Sequence, residues 1–204
     1  DAQIAVTCDS KNKLEGGLFI AGEGGPSNIT KTSYFNVIKK GKILLIKESQ
    51  CENPGIATHE LLHVLGFDHS QNSNNIMYNV SQCNQEIGSD IINTINRLYS
   101  TPSYSDLSVE NVSAAMHGKY LNTNFTVMNQ GLKDSKDSIL KIYADNKLVK
   151  EVDIPELEIG YGRKISLINI FVLQISTSEL KFVIDYNEAE LYKENNEIIL
   201  NIKE

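Results

Sequence analysis

Residues 59–69 read His-Glu-Leu-Leu-His-Val-Leu-Gly-Phe-Asp-His, and this run constrains the local fold more tightly than any other stretch of the chain. His59 and His63 stand four apart, so on a helix their imidazoles project from one face within reach of a single ion. Apolar Ile56, Leu61, Leu62, Val64 and Leu65 predict that helix over 56–66, with Gly66 as its C-terminal glycine. The same glycine lets the chain turn sharply, so that His69 can return as a third ligand. Three neutral imidazoles leave a fourth tetrahedral position for water, which separates a catalytic zinc from a structural one. The ion lowers the pKa of that water to about 7. Glu60, beside the first ligand, is then the candidate general base.

The run resembles the metzincin pattern HExxHxxGxxH, and Ser70 followed by Asn75-Ile76-Met77-Tyr78 is similar to the matrixin branch of that family. The similarity continues through Ile87-Gly88-Ser89-Asp90-Ile91-Ile92 to Leu98-Tyr99, which resembles the last helix of matrixin catalytic domains. The resemblance implies an α+β metzincin catalytic domain, a twisted sheet with an active-site helix and a C-terminal helix. It implies one catalytic zinc on His59, His63 and His69, with Met77 as an apolar floor beneath the ion. By the same resemblance Leu18, Phe19, Ile20 and Ala21, in the segment Gly17 to Ala21, form an edge strand that holds a polypeptide substrate. Such an edge hydrogen-bonds a peptide's main chain whatever its side chains. Tyr78 belongs to the implied substrate site, and the loop from Asn79 to Gly88 would shape its pocket.

The chain also departs from that family. Its only other histidine is His117, read as a surface loop residue, so the additional structural zinc of many matrixins lacks imidazole ligands. Asn79 stands where matrixins usually carry proline. The family's first strand and first helix should precede Gln3 and find no counterpart here. Cys51 and Cys83 flank the histidine segment and are the expected disulfide, which leaves Cys8 over. Closing a loop of that length stabilises by roughly 3 to 4 kcal/mol in the chain-entropy picture.

Near Thr101 the pattern changes, and Thr101 to Ser105 reads as a linker between a matrixin-like domain at 1–102 and a second domain at 105–204. Before it, Gln3 to Thr7, Gly17 to Ala21 and Lys42 to Ile46 read as strands, and Gly22-Glu23-Gly24-Gly25-Pro26 as a loop. Ile91, Ile92, Ile95, Leu98 and Tyr99 recur at helical spacing and read as core, with Ser89 as N-cap. After it, seven short strands are expected near 107–112, 120–129, 139–144, 148–154, 164–171, 180–185 and 198–202, an all-β immunoglobulin-like sandwich. Asp145-Asn146 fits a tight hairpin turn.

The second domain resembles the CARDB modules of secreted bacterial and archaeal proteins. The resemblance lies in Asp106-Leu107-Ser108-Val109, Val127-Met128-Asn129-Gln130-Gly131, Val183-Ile184-Asp185 and Glu194-Asn195-Asn196-Glu197. It implies adhesion or presentation, with a cell-surface or matrix partner. Glu194 to Glu197 is read as a polar turn entering the last strand rather than a calcium site, and a calcium requirement is left open.

A net charge of -7 and a pI near 5.2, with no basic run, argue against a nucleic-acid surface. No stretch approaches the roughly 18 apolar residues of a membrane span. The resemblances imply an extracellular or cell-surface location, which Asn-x-Ser/Thr triplets at Asn28, Asn79, Asn111 and Asn124 would suit. A secreted zinc endopeptidase is the first reading. The second is a catalytically weak, zinc-containing adhesion or binding protein.

Overall fold

The computed structural model describes residues 3–9, 14–46, 51–173 and 176–202. The chain divides into two units, one of residues 1–30 and 36–101 and one of residues 31–35 and 102–204.

In the first unit, β1 (Ile4–Cys8) lies parallel to β5 (Asn36–Leu45), with Ile4 opposite Gly41 and Cys8 opposite Leu45. β4 (Gly22–Lys31) forms the other edge of that three-stranded sheet, and β2 (Leu14–Glu15) pairs with β3 (Leu18–Phe19) apart from it. Two helices follow, α1 (Gly55–Val64) and α2 (Ser89–Tyr99). The expected edge strand 17–21 shrinks to Leu18–Phe19, and the glycine run read as a loop is the start of β4.

The second unit is built from β6 (Leu107–His117), β7 (Tyr120–Asn129), β8 (Ser138–Ala144), β9 (Lys147–Ile154), β10 (Gly162–Phe171), β11 (Glu179–Asp185) and β12 (Glu197–Asn201). They form two antiparallel sheets, ordered β10-β7-β6 and β12-β11-β8-β9. Alternation places every second residue of β7, β8 and β11 inward, as a period-2 pattern requires. Leu121, Phe125, Val127, Leu140, Ile142, Leu180 and Phe182 thus meet in one core. Asp145 and Asn146, both at positive φ, make the two-residue turn between β8 and β9. A single 3-10 turn, Glu194–Asn196, leads into β12. His117, expected in a loop, ends β6 opposite Tyr120.

The α+β metzincin catalytic domain expected from the sequence does not form. The described chain is mostly strand with two helices, and no compact domain of that type is present. Much of the apolar surface that such a domain would cover stays exposed among the described residues. β1 keeps four of its five residues exposed. α2, expected as core, buries Ile91 fully while Ile92, Leu98 and Tyr99 stay exposed.

Candidate metal centre

α1 ends in a hydrogen-bonded C-cap that builds half of the site. Gly66, at φ 91°, donates its N–H to the His63 carbonyl, and the Phe67 N–H reaches the Leu62 carbonyl. This is the Schellman pattern, which needs a left-handed residue at the turn. It carries the Phe67 carbonyl back over the last helical turn, where it accepts a 2.7 Å hydrogen bond from His63 Nδ1. His59 Nδ1 donates to the Ile76 carbonyl, also at 2.7 Å.

Both histidines therefore carry their proton on Nδ1 and turn a bare Nε2 the other way. His63 Nε2 lies 3.0 Å from His59 Nε2 and 3.1 Å from His69 Nε2. With Nδ1 holding the proton of both His59 and His63, the 3.0 Å contact brings two lone pairs together and is no hydrogen bond. A first-row divalent ion bound at about 2.0 to 2.1 Å in tetrahedral geometry separates its ligands by about 3.3 Å. The donor set fits such an ion. The three side chains form one group able to hold a metal. Burial pushes the pKa of His59 and of His69 below the usual imidazole range, which favours the neutral, ligating form.

Glu60 is buried beside these rings. Burial raises its pKa above the usual carboxylate range, against the pull of His63 and of a hydrogen bond from the Gly24 backbone. β4 crosses so close that a Cβ on Gly22 would stand 2.7 Å from Glu60 Cγ, and one on Gly24 would stand 2.2 Å from the Glu60 carbonyl oxygen. Two glycines in this strand are thus space for the glutamate.

A cleft of about 780 Å³ opens on Glu60, His59, His63 and His69. Phe19, Ile20, Ala21, Gly22, Glu23 and Gly24 form one wall, and Asn79 to Gln82 with Gln85 another. Leu18 supplies backbone to β3. Tyr78 bridges to Ser70 and is not among the described lining residues. Met77 is 1% exposed and packs with Leu62, Ile76 and Ile91, next to the carbonyl that holds His59. Cys51 and Cys83 are joined, with Cα atoms 5.2 Å apart, and Cys8 is a free, exposed thiol.

Two buried amides escaped the sequence reading. Asn75 Oδ1 accepts from the Met77 N–H at 2.8 Å while its Nδ2 donates to Asp90, tying the turn to α2. Gln85 Nε2 donates to the Ser73 and Val80 carbonyls and its Oε1 accepts from the Gln82 N–H, holding the cleft loop together. Neither stands at a spacing that announces its role.

Family comparison divides the chain near residue 102, as its fold does apart from residues 31–35. Residues 9–100 match the model of the Matrixin family, and residues 104–199 match that of CARDB. No curated protein matches the chain. Among solved structures, the CARDB domain of a Pyrococcus furiosus protein, in complex with di-metal ions, is 18% identical over 50% of this chain and 90% of that one, with a TM-score of 0.43. β-Glucosidase 3B of Thermotoga neapolitana, in complex with α-D-glucose, is 13% identical over 48% of this chain, with a TM-score of 0.31. The aligned part spans 17% of the glucosidase. The chain thus carries a region similar to the Matrixin family followed by one similar to CARDB, with a histidine triad and a disulfide in the first.

Proposed function

We propose that the chain is a secreted zinc-dependent endopeptidase, with its hydrolytic site in residues 1–102 and a CARDB-like binding module at 105–204. The observation that carries this reading is the orientation of His59 and His63, whose Nδ1 atoms are spent on carbonyls so that bare Nε2 atoms converge with that of His69. The match to the Matrixin family supports zinc as the ion. A zinc ion in this site supplies a Lewis acid and an acidified water.

The chain's own groups do the rest. Glu60, held by the Gly24 N–H and drawn toward the pKa of a general base by burial, takes the proton of the attacking water and returns it to the leaving amine. No covalent enzyme intermediate is needed. The wall from Phe19 to Gly24 lies along the cleft where an extended polypeptide would run, and the loop from Asn79 to Gln82 faces its side chains. The disulfide suits an oxidising, extracellular compartment. No helix among the described residues is long and apolar enough to cross a membrane. The CARDB match supports a surface or matrix partner for the second module.

The test is Glu60→Ala on a zinc-loaded chain against a peptide library, with metal content measured in parallel. Zinc should stay at one equivalent while cleavage falls at least about 100-fold, the lower range for a lost general base, and a chelator should abolish the parent's cleavage. A parent that holds zinc yet cuts nothing would point instead to a zinc-containing adhesion protein. Equal cleavage by parent and variant would remove Glu60 from the chemistry.

A further inference from the structure

At the start of β6, far along the chain from the histidines, a buried acid and a part-buried one act on each other. Asp106 is fully buried, and Glu190 is tied to the next residue through a 2.9 Å hydrogen bond from the Leu107 N–H to its Oε1. The two carboxylates repel each other, and Glu194 adds further negative charge against Asp106. The base that acts on Glu190 is Lys193, an exposed side chain with a smaller effect than Asp106. Burial is the main reason that both carboxyl groups sit above their usual pKa range. A buried carboxylate with a second one acting on it is costly unless a cation accompanies them.

The donors given to Asp106 are poor for a buried charge. Its oxygens receive the Tyr192 N–H at 3.3 Å and Asn195 Nδ2 at 3.2 and 3.3 Å, against about 2.7 to 2.9 Å for ordinary charge-assisted bonds. Asn196, 8% exposed, turns its amide onto Glu190 through Nδ2. Its Oδ1, and that of Asn195, are buried with no hydrogen-bond partner among the described residues. A buried amide that leaves its acceptor orphaned wastes about 1 to 3 kcal/mol. A half-turn of either amide exchanges its NH2 for its carbonyl oxygen, at almost no change in shape. Both orphaned oxygens would then face the carboxylates, a repulsive arrangement unless a cation lies between them.

We propose that Asp106, Glu190, Asn195 and Asn196 bind one calcium ion in the second unit. The donors are all oxygen, two of them anionic, which matches the charge of a divalent ion and suits a hard cation rather than zinc. Calcium accepts six to eight oxygens in irregular arrangements, so backbone carbonyls and water complete the shell, whereas magnesium demands a regular octahedron. The 3-10 turn Glu194–Asn196 delivers two of the ligands, and an ion there fastens it to the first residues of β6.

The test uses the full zinc-loaded chain, so that the imidazoles are occupied, stripped of calcium and titrated calorimetrically with CaCl2. The parent should take up one ion per chain with a dissociation constant no weaker than about 1 mM, the weak end for extracellular modules. Its melting temperature should climb with calcium concentration as binding to the folded state requires. Asp106→Asn should weaken uptake at least about 10-fold. Asn196→Asp separates the site from a plain hydrogen-bond network: it keeps an oxygen while removing the donor to Glu190. In a calcium site it melts low without the ion and recovers the parent's melting temperature with it. In a network it melts low in both. No uptake by the parent up to about 10 mM, magnesium binding as tight as calcium, or an Asn196→Asp chain that calcium does not rescue would overturn the assignment. If Asp106→Asn fails to fold, the parent's calcium-dependent melting still decides the question.

Discussion

Fifteen buried apolar side chains form the core cluster described in the second unit, and four form the one in the first. In the second unit β7, β8 and β11 put Leu, Ile, Val or Phe at eight of their twelve inward positions, with Thr123, Asn129, Ser138 and Ala144 at the others. The first places His59, Glu60, Asn75 and Gln85 in buried positions where a scaffold would place hydrocarbon. Each of those polar residues has a partner that a Leu would not need: a carbonyl for His59, the Gly24 N–H for Glu60, a turn for each amide. The difference shows where each unit gets its order. One is held mainly by area removed from water, though it buries hydrogen-bonded polar residues such as Asn129 as well, and the other by hydrogen bonds, a disulfide and the demands of a site around a much smaller apolar core, the pattern expected where function displaces packing.

The comparison breaks first at Phe182. This ring is fully buried and packs on Phe125 with centroids 5.7 Å apart. Phe182→Ala should cost about 3 to 5 kcal/mol, the transfer and cavity terms together, read by urea unfolding of the full chain. Hydrogen exchange should locate the loss in residues 102–202 and leave 51–101 unchanged, with peptide cleavage at the parent's rate. Loss of cleavage in step with the loss of the sandwich would show that the two units are not independent.

Removing the disulfide tests the other side. Cys51 and Cys83 are 32 residues apart and enclose α1, the three histidines and Met77. Replacing both by Ser should remove roughly 3 to 4 kcal/mol through the entropy of the opened loop. In a unit with so small a core that is a large share of its stability. The exchange signature should be the mirror image of the Phe182 variant, with protection lost across 51–101 and kept in the sandwich.

The sequence disclosed the two units unequally, for the same physical reason. Alternation exposes the sandwich strands to inspection: the expected strand 120–129 coincides with β7, and the expected 139–144, 148–154 and 180–185 each start one residue after β8, β9 and β11. β6 runs on to His117 past a break in register between Glu110 and Ser113, with Asn111 at positive φ, where the alternation is interrupted. The histidine turn was legible because its ligands are local and its glycine has one use. The environment of Glu60 was not, because Gly24 is 36 positions away and glycine in a run reads as a turn when its space-making role depends on a tertiary neighbour. α2 misled in the opposite sense. Its helical spacing of apolar residues is sound, yet the described unit covers only part of that face.

Gly24 therefore offers the smallest and sharpest test of the comparison. An alanine methyl there would meet the Glu60 carbonyl oxygen at 2.2 Å and its Cα at 2.8 Å, backbone atoms that no rotamer change can move aside. Gly25, one residue on, has nothing within 4 Å of the same methyl. Gly24→Ala should lower the stability of the first unit by about 1 to 3 kcal/mol, the range for overpacking, while Gly25→Ala stays within about 0.5 kcal/mol of the parent. The strand must retreat from α1 to admit the methyl, and its N–H then leaves the Glu60 carboxylate. Peptide cleavage should fall more than stability does, with zinc content intact, because the ligands are held by Phe67 and Ile76 rather than by β4. If Gly24→Ala and Gly25→Ala behave alike, the close approach of β4 does not position the glutamate, and the first unit's polar interior has lost the feature that ties it to chemistry.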